Sequence, residues 1–313
     1  VGERVVMPEC RGYPRLSELV RSCPGGAEAE LFTDPCPTPE ILGERIRGAG
    51  TVLHFFHAPP LPTAPLLAER PGRVVVAGPG AGLDLPALAG AGIEVYDTPG
   101  LAADSVAEFT LTLLLMLAHR VPSAMGAASD MPFAGRELAG KTLGIVGWGR
   151  IGARTARLAR GIGMRVTAWS PSLGKETARD AEARRLPLEE LLASADAVSL
   201  HLREAPATRG VLDAGRLALL GREALLVNTA RAGLVDMAEL RRRLAAGLLG
   251  GAALDVADVE PLPPDDPLRT DPRVLVTPHM AWMTDETVTR FVSAALAFAA
   301  TGDADAAPVR RLV

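Results

Sequence analysis

Three polar side chains late in the chain each follow a short apolar run: Arg231 in VNTARAGLVD, Glu260 in ALDVADVEPLP and His279 in LVTPHMAWMT. Their chemistries are complementary. Reducing a 2-oxo acid needs a cation for its carboxylate and carbonyl, and a proton donor for the alkoxide as it forms. Arginine supplies a two-pronged contact to a carboxylate. Histidine changes charge near neutral pH, and a glutamate beside it favours the imidazolium form and holds the ring. Protonated, the imidazole serves carbonyl reduction; deprotonated, it serves the reverse oxidation. Singly, each residue has an ordinary explanation: an arginine capping a turn, a glutamate solvated before a proline, a histidine satisfied in the core. The grouping carries weight only beside a redox cofactor.

A place for such a cofactor is present in residues 142–152, TLGIVGWGRIG, a buried run leading into Gly147, Gly149 and Gly152. The first glycine permits a tight turn, the second lets the backbone approach a pyrophosphate, and the third lets a helix pack on the strand. Amides around Arg150 and Ile151 then point at the phosphates. Glycine-rich turns also arise for packing alone, but this one stands after a β-run, before a helix and inside a series of strands. In the usual fingerprint an acidic residue ends the second strand and bonds the adenosine ribose. Here that strand ends in Trp169 and Ser170. Serine removes the repulsion a carboxylate would exert on a ribose phosphate, and Lys175 is near enough in sequence to add a positive charge or to be a solvated loop residue. NAD(H) and NADP(H) both stay open.

These residues need a frame. Short β-branched runs alternate with segments of helical period, which implies parallel strands with crossover helices. One series has strands at Arg4–Val6, Ala29–Thr33, Thr51–Phe56, Arg73–Ala77 and Ile93–Tyr96. A helical segment from Ser105 to about Arg120 and a loop of small residues ending near Gly140 form a bridge. The second series has strands at Thr142–Val146, Met164–Trp169, Ala197–Leu200, Ala224–Asn228, Gly251–Asp255 and Val274–Thr277. The expected fold is α/β with two lobes, each a parallel sheet with helices on both faces, the larger a Rossmann-type dinucleotide-binding domain. The helical segment Asp285–Ala300 lies beyond the last strand and is expected to return to the first lobe. That makes residues 1–101 with 283–313 a discontinuous substrate domain and 102–282 the NAD(P)-binding domain. Because strand carboxyl ends open onto the ligand crevice of such sheets, Arg231, Glu260 and His279 are expected to face one cleft.

Composition bounds the alternatives. The 313 residues are 48% apolar and 22% charged, enough to bury a sizeable core. With 33 basic and 37 acidic side chains the formal charge is −4, which leaves no excess to neutralise phosphate backbones, so nucleic acid is not an expected partner. The longest compact apolar run, Leu111–Ala118, is far shorter than the roughly 20 residues that span a bilayer. No membrane partner is expected, and with no signal-peptide pattern at the amino end a cytoplasmic location is. Cys10, Cys23 and Cys36 have neither CxxC nor zinc-finger spacing and read as free thiols.

From Arg73 onward the chain closely resembles the D-isomer-specific 2-hydroxyacid dehydrogenase family. GPGAGLD, VYDTPGLAADSVAE, GKTLGIVGWGRIG, VNTARAGLVD, ALDVADVEPLP and TPHMA stand in family order. The resemblance implies that Arg231 binds substrate, Glu260 partners the catalytic histidine and His279 is the acid/base. It implies that Asp255 meets the nicotinamide carboxamide, with Thr229 also on the cofactor side. It further implies that the loop Gly80, Ala81 and Gly82 offers amides to the substrate carboxylate, and that the protein is a homodimer built through its cofactor lobes. Where family members often carry glycine this chain has Trp282, which either walls the substrate pocket or packs at the hinge. Leu85 and Ala102 replace asparagines common in the family. His201 resembles a position bordering the cofactor, and His57 stands where the family's substrate cleft lies.

The expected function is hydride transfer between NAD(P)(H) and a small 2-oxo/2-hydroxy acid. Oxidation of phosphite or a phosphonate on the same fold uses the same three residue types. Formate oxidation pairs the histidine with glutamine, and Glu260 argues against it. A non-catalytic, NAD(H)-sensing corepressor-like protein is the alternative from another class.

Overall fold

The computed structural model describes residues 3–80, 82–125, 134–171, 183–305 and 307–313. The chain divides into two compact units, Val1–Ala102 with Met283–Val313, and Ala103–Trp282.

In the first unit, β1 (Val5–Met7), β2 (Glu30–Leu31), β3 (Thr51–Phe55), β4 (Arg73–Ala77) and β5 (Glu94–Asp97) form a parallel sheet in the order β2-β1-β3-β4-β5. This is one of the two common doubly wound orders. Its central strands are apolar runs with both faces covered, as parallel sheets require; all five residues of β3 are buried. The helix Asp285–Thr301 completes this unit from the far end of the chain. Thr284 caps it by accepting a hydrogen bond from the Thr287 amide, Asp285 and Glu286 favour its positive end, and Gly302 ends it with φ 67°. Phe291 and Phe298 are fully buried, Phe298 against Tyr96 with ring centroids 4.2 Å apart. Each such side chain contributes about 1.5–3 kcal/mol of burial.

The first sheet departs from all-parallel at one edge, where Arg310–Arg311 pairs antiparallel with β5. The Arg310 guanidinium donates to both oxygens of fully buried Asp97, at 3.0 and 2.5 Å. Two arginines carry no strand pattern; what places them is a buried carboxylate that needs a cation.

In the second unit, β6 (Thr142–Val146), β7 (Arg165–Trp169), β8 (Arg184–Arg185), β9 (Ala197–Leu200), β10 (Leu225–Asn228), β11 (Gly251–Leu254) and β12 (Val274–Val276) form a parallel sheet in the order β12-β11-β10-β9-β6-β7-β8. The strand order reverses between β6 and β9, the switch point at which dinucleotide folds open a crevice. The exposed edge strand β8 was not expected, again because two arginines give no apolar signal. The helix Ala103–Ala118 buries Leu113, Leu114 and Leu117 and packs on β10 and on the helix Arg150–Gly161. It stops short of the expected Arg120, which takes a left-handed φ of 53° two residues before Pro122. Cys10, Cys23 and Cys36 are free thiols, and burial raises the Cys10 pKa to about 11. Among the described residues no helix is long and apolar enough to cross a membrane.

Candidate active site

The glycine loop sits at the switch point. Gly147 has φ 110°, its amide donates to Trp169 O at 2.7 Å, and a Cβ there would lie 2.5 Å from the His201 carbonyl carbon. No side chain could replace it. Gly152 is equally committed, since a Cβ would run into the Gly147 carbonyl oxygen. Gly149 is different: a Cβ there would meet nothing within 4 Å. It caps the helix Arg150–Gly161, which has no side-chain cap, so the first-turn amides of Arg150 and Ile151 have no capping side chain as acceptor. A bare helix start beside a Cβ-sized opening fits a pyrophosphate. Ser170 is buried just past β7, and Lys175 lies outside the described residues.

His201 follows β9. Its Nε2 is 2.8 Å from Ser199 Oγ, and desolvation lowers its pKa to about 3. It is neutral at physiological pH and is no second acid.

The strands bearing the polar triplet are neighbours in register, with Asn228 opposite Leu254 and Leu254 opposite Val276. Adjacent strands lie about 4.8 Å apart. Arg231, Asp255, Glu260 and His279 thus all leave the same carboxyl edge of β10, β11 and β12. Fully buried Asn228 shapes the first of these exits, taking the Ala230 amide on Oδ1 at 3.0 Å and donating from Nδ2 to Arg231 O at 2.9 Å. The Arg231 side chain is exposed, bonds the Ala230 carbonyl and makes no ion pair among the described residues. Buried Thr229 shares a 2.8 Å hydrogen bond with Thr110 of the helix Ala103–Ala118.

His279 Nδ1 lies 3.0 Å from Glu260 Oε2. A carboxylate only accepts, so Nδ1 carries the hydrogen and Nε2 is the atom left for proton exchange. Glu260 Oε1 accepts the Ala257 amide at 3.0 Å, which fixes the carboxylate within its own loop. The backbone of His279 is strained, with φ 53°, a conformation that costs a non-glycine residue about 1–3 kcal/mol unless its surroundings impose it.

Asp255 imposes it. This carboxylate is 1% exposed; Oδ1 accepts from Thr277 Oγ1 at 2.6 Å and the Met280 amide at 2.8 Å, and Oδ2 from the Ala281 amide at 2.9 Å. The His279 amide closes a three-residue turn onto Thr277 O at 3.0 Å. From the other side, buried Ser105 donates to Ala281 O at 2.7 Å. The turn is gripped before and after the histidine. Sequence reasoning missed Ser105, Thr110 and Thr277, whose roles rest on partners far along the chain, and it did not foresee the hydrogen bonds by which Asp255 anchors the turn.

In the first unit the Gly80 amide already donates to Asp97 Oδ2 at 3.0 Å, and a Cβ on Gly80 would lie 2.5 Å from Leu312 Cδ1. Gly80 is therefore required by packing, and its amide has a partner in Asp97. Gly82 has φ 78° and open space around its Cα, and Ala81 lies outside the described residues. His57 Nδ1 is 3.1 Å from Gly12 O. Trp282 is buried, 6% exposed.

Comparison with known proteins identifies the family. The NAD binding domain model of the D-isomer specific 2-hydroxyacid dehydrogenases matches residues 111–281. A glyoxylate reductase from Korarchaeum cryptofilum (strain OPF8) is 34% identical over 276 residues, 84% of this chain and 82% of that protein. A D-3-phosphoglycerate dehydrogenase from Methanocaldococcus jannaschii is 37% identical over 210 residues, 65% of this chain but 40% of that longer protein. A solved D-2-hydroxyisocaproate dehydrogenase shares the fold with a TM-score of 0.84 at 22% identity, over 96% of this chain and 98% of that one. The chain belongs to the D-isomer specific 2-hydroxyacid dehydrogenase family and is an NAD-dependent 2-hydroxyacid oxidoreductase.

Proposed function

We propose that the protein reduces a short 2-oxo acid of the glyoxylate type, reversibly, with His279 as the acid/base, Glu260 as its partner and Arg231 as the carboxylate-binding cation. The observation that carries this reading is the 3.0 Å pair between His279 Nδ1 and Glu260 Oε2 at the carboxyl edge of the cofactor sheet. The nicotinamide supplies or takes up the hydride when bound. The protein's own work is with the proton and the charge. Glu260 orients the ring so that Nε2 faces outward, and Nε2 gives its proton to the carbonyl oxygen in reduction and takes it back in oxidation. The Arg231 guanidinium, which makes no ion pair among the described residues, offers two parallel donors to a carboxylate. Asp255, through the turn it anchors, keeps the ring where Glu260 can hold it.

The likeness to a glyoxylate reductase supports a small acid. Ser170, in place of an acidic residue, is compatible with NADP(H) as well as NAD(H), and the protein acts as a homodimer through its cofactor unit. A screen of glyoxylate, pyruvate, 3-phosphohydroxypyruvate and phosphite with both cofactors, following absorbance of the reduced nicotinamide, tests the reading. Turnover is expected with the short 2-oxo acids. Turnover with phosphite alone would assign the site to oxyanion oxidation, and tight cofactor binding without any turnover would make the protein a sensor.

A further inference from the structure

The loop between β11 and the short 3-10 helix Pro267–Arg269 carries Glu260 and has no regular secondary structure of its own. One side chain ties its two limbs together. Arg241, on the helix Met237–Ala245, donates from Nη1 to Asp258 Oδ2 at 3.0 Å and from Nη2 to Asp258 Oδ1 at 2.9 Å, and Nη2 also reaches Asp266 Oδ2 at 2.8 Å. Asp258 precedes Glu260 by two residues and Asp266 follows it by six. The guanidinium is a quarter exposed and Asp266 only 10%, whereas Asp258 is 44% exposed, so the Asp266 limb is the shielded one. Asp266 Oδ1 also takes the Leu268 amide at 2.9 Å, and Arg269 Nε donates to Pro263 O at 2.8 Å, which closes the far limb.

We propose that Arg241 is a positioning residue for the reaction: by bridging Asp258 and Asp266 it sets the place at which Glu260 meets His279. The proposal rests on the assignment of Glu260 and His279 as the acid/base pair. The charge state suits the role. Hydrogen bonding to Arg241 holds the Asp258 carboxyl below its usual range, and for Asp266 the bonds from Arg241 and the Leu268 amide outweigh burial and do the same. Both partners are carboxylates at neutral pH, and a planar fork is the shape that spans two of them; a lysine ammonium is a single point charge. If Arg241 served stability alone, its loss would lower activity to the same degree whatever stood at residue 260. As a positioning residue it acts through Glu260.

A double-mutant cycle on the full chain separates the two. Arg241→Met is expected to lower kcat about tenfold, since small misplacements of a reacting group cost this much or more, with KM and cofactor Kd within about twofold of wild type. In the Glu260→Gln background the same substitution is expected to change kcat by less than about twofold. Arg241→Lys restores part of the loss. A readout free of turnover is the proton on His279 Nδ1, observed by NMR of histidine-labelled protein: its hydrogen-bonded signal is expected in wild type and weakened in Arg241→Met. If Arg241→Met does not fold, Asp258→Asn cuts one limb of the bridge and should act with the same sign. A wild-type kcat and Nδ1 proton signal in the variant, or an equal loss in both backgrounds, would overturn the proposal. Failure of the underlying assignment looks different: Glu260→Gln itself would then leave kcat unchanged.

Discussion

Asp255→Asn separates the two roles that this residue can hold. In the structure its carboxylate accepts three hydrogen bonds from Thr277, Met280 and Ala281 while 1% exposed. Asparagine keeps one acceptor oxygen and turns the other into a donor. With the oxygen left facing Thr277 and Met280, the new amide nitrogen opposes the Ala281 N–H, donor against donor. Losing one bond to a buried charge and weakening two others is expected to cost about 2–4 kcal/mol. For a unit of this size that lowers the melting temperature by about 5–15 °C. The second effect is on the histidine. The φ of 53° at His279 persists because the turn is held on both sides; loosened, the residue relaxes and its ring leaves Glu260, and a displacement of about 1 Å costs about 10²-fold in rate. Thermal unfolding, kcat and a fluorescence titration with NADH measure all three quantities. A residue that bonds the nicotinamide would show the opposite pattern. Wild-type melting temperature and kcat with weakened NADH binding would refute the anchoring argument.

Three further outcomes are expected. His279→Gln and Arg231→Ala each lower kcat/KM by about 10²–10⁴ with cofactor Kd nearly unchanged, and loss of cofactor affinity with chemistry preserved would reject their roles. Ser170→Asp moves the ratio of NADP to NAD efficiency toward NAD, because a carboxylate there repels a ribose phosphate; an unchanged ratio shows that this strand end does not read the ribose. His54, buried in β3, has its pKa lowered by desolvation to about 4. The unfolded chain, with a value near 6.5, binds that proton more readily, so the contribution is full above about pH 6.5 and falls by about 3 kcal/mol as pH drops to about 4. His54→Leu should flatten this window in urea unfolding at graded pH. His201 adds a loss of the same sign in the second unit, so the variant removes part of the slope; a slope identical to wild type would exclude His54 as a source.

The sequence made the frame legible wherever one segment carries its own signal. The run TLGIVGWGRIG declares a strand, a turn and a helix start in eleven residues, and the structure finds β6, the φ of 110° at Gly147 and the uncapped helix there. Central strands read clearly because both faces are buried. The edge segments Arg184–Arg185 and Arg310–Arg311 did not, since nothing in a pair of arginines distinguishes a strand from a loop. The site divides along the same line. Arg231, Glu260 and His279 could be chosen by residue type and by their place after strands. What holds them could not, because Ser105 and Ala281 are 176 residues apart, Thr110 and Thr229 are 119 apart, and no periodicity links such partners. A single fact explains the difference. The residues that do chemistry need particular side chains, whereas those that aim them need only a donor or acceptor at the right distance. Serine, threonine, aspartate or arginine at an ordinary position meets that need, and only the folded geometry at Asp255 and Arg241 tells an anchor from a solvated surface group.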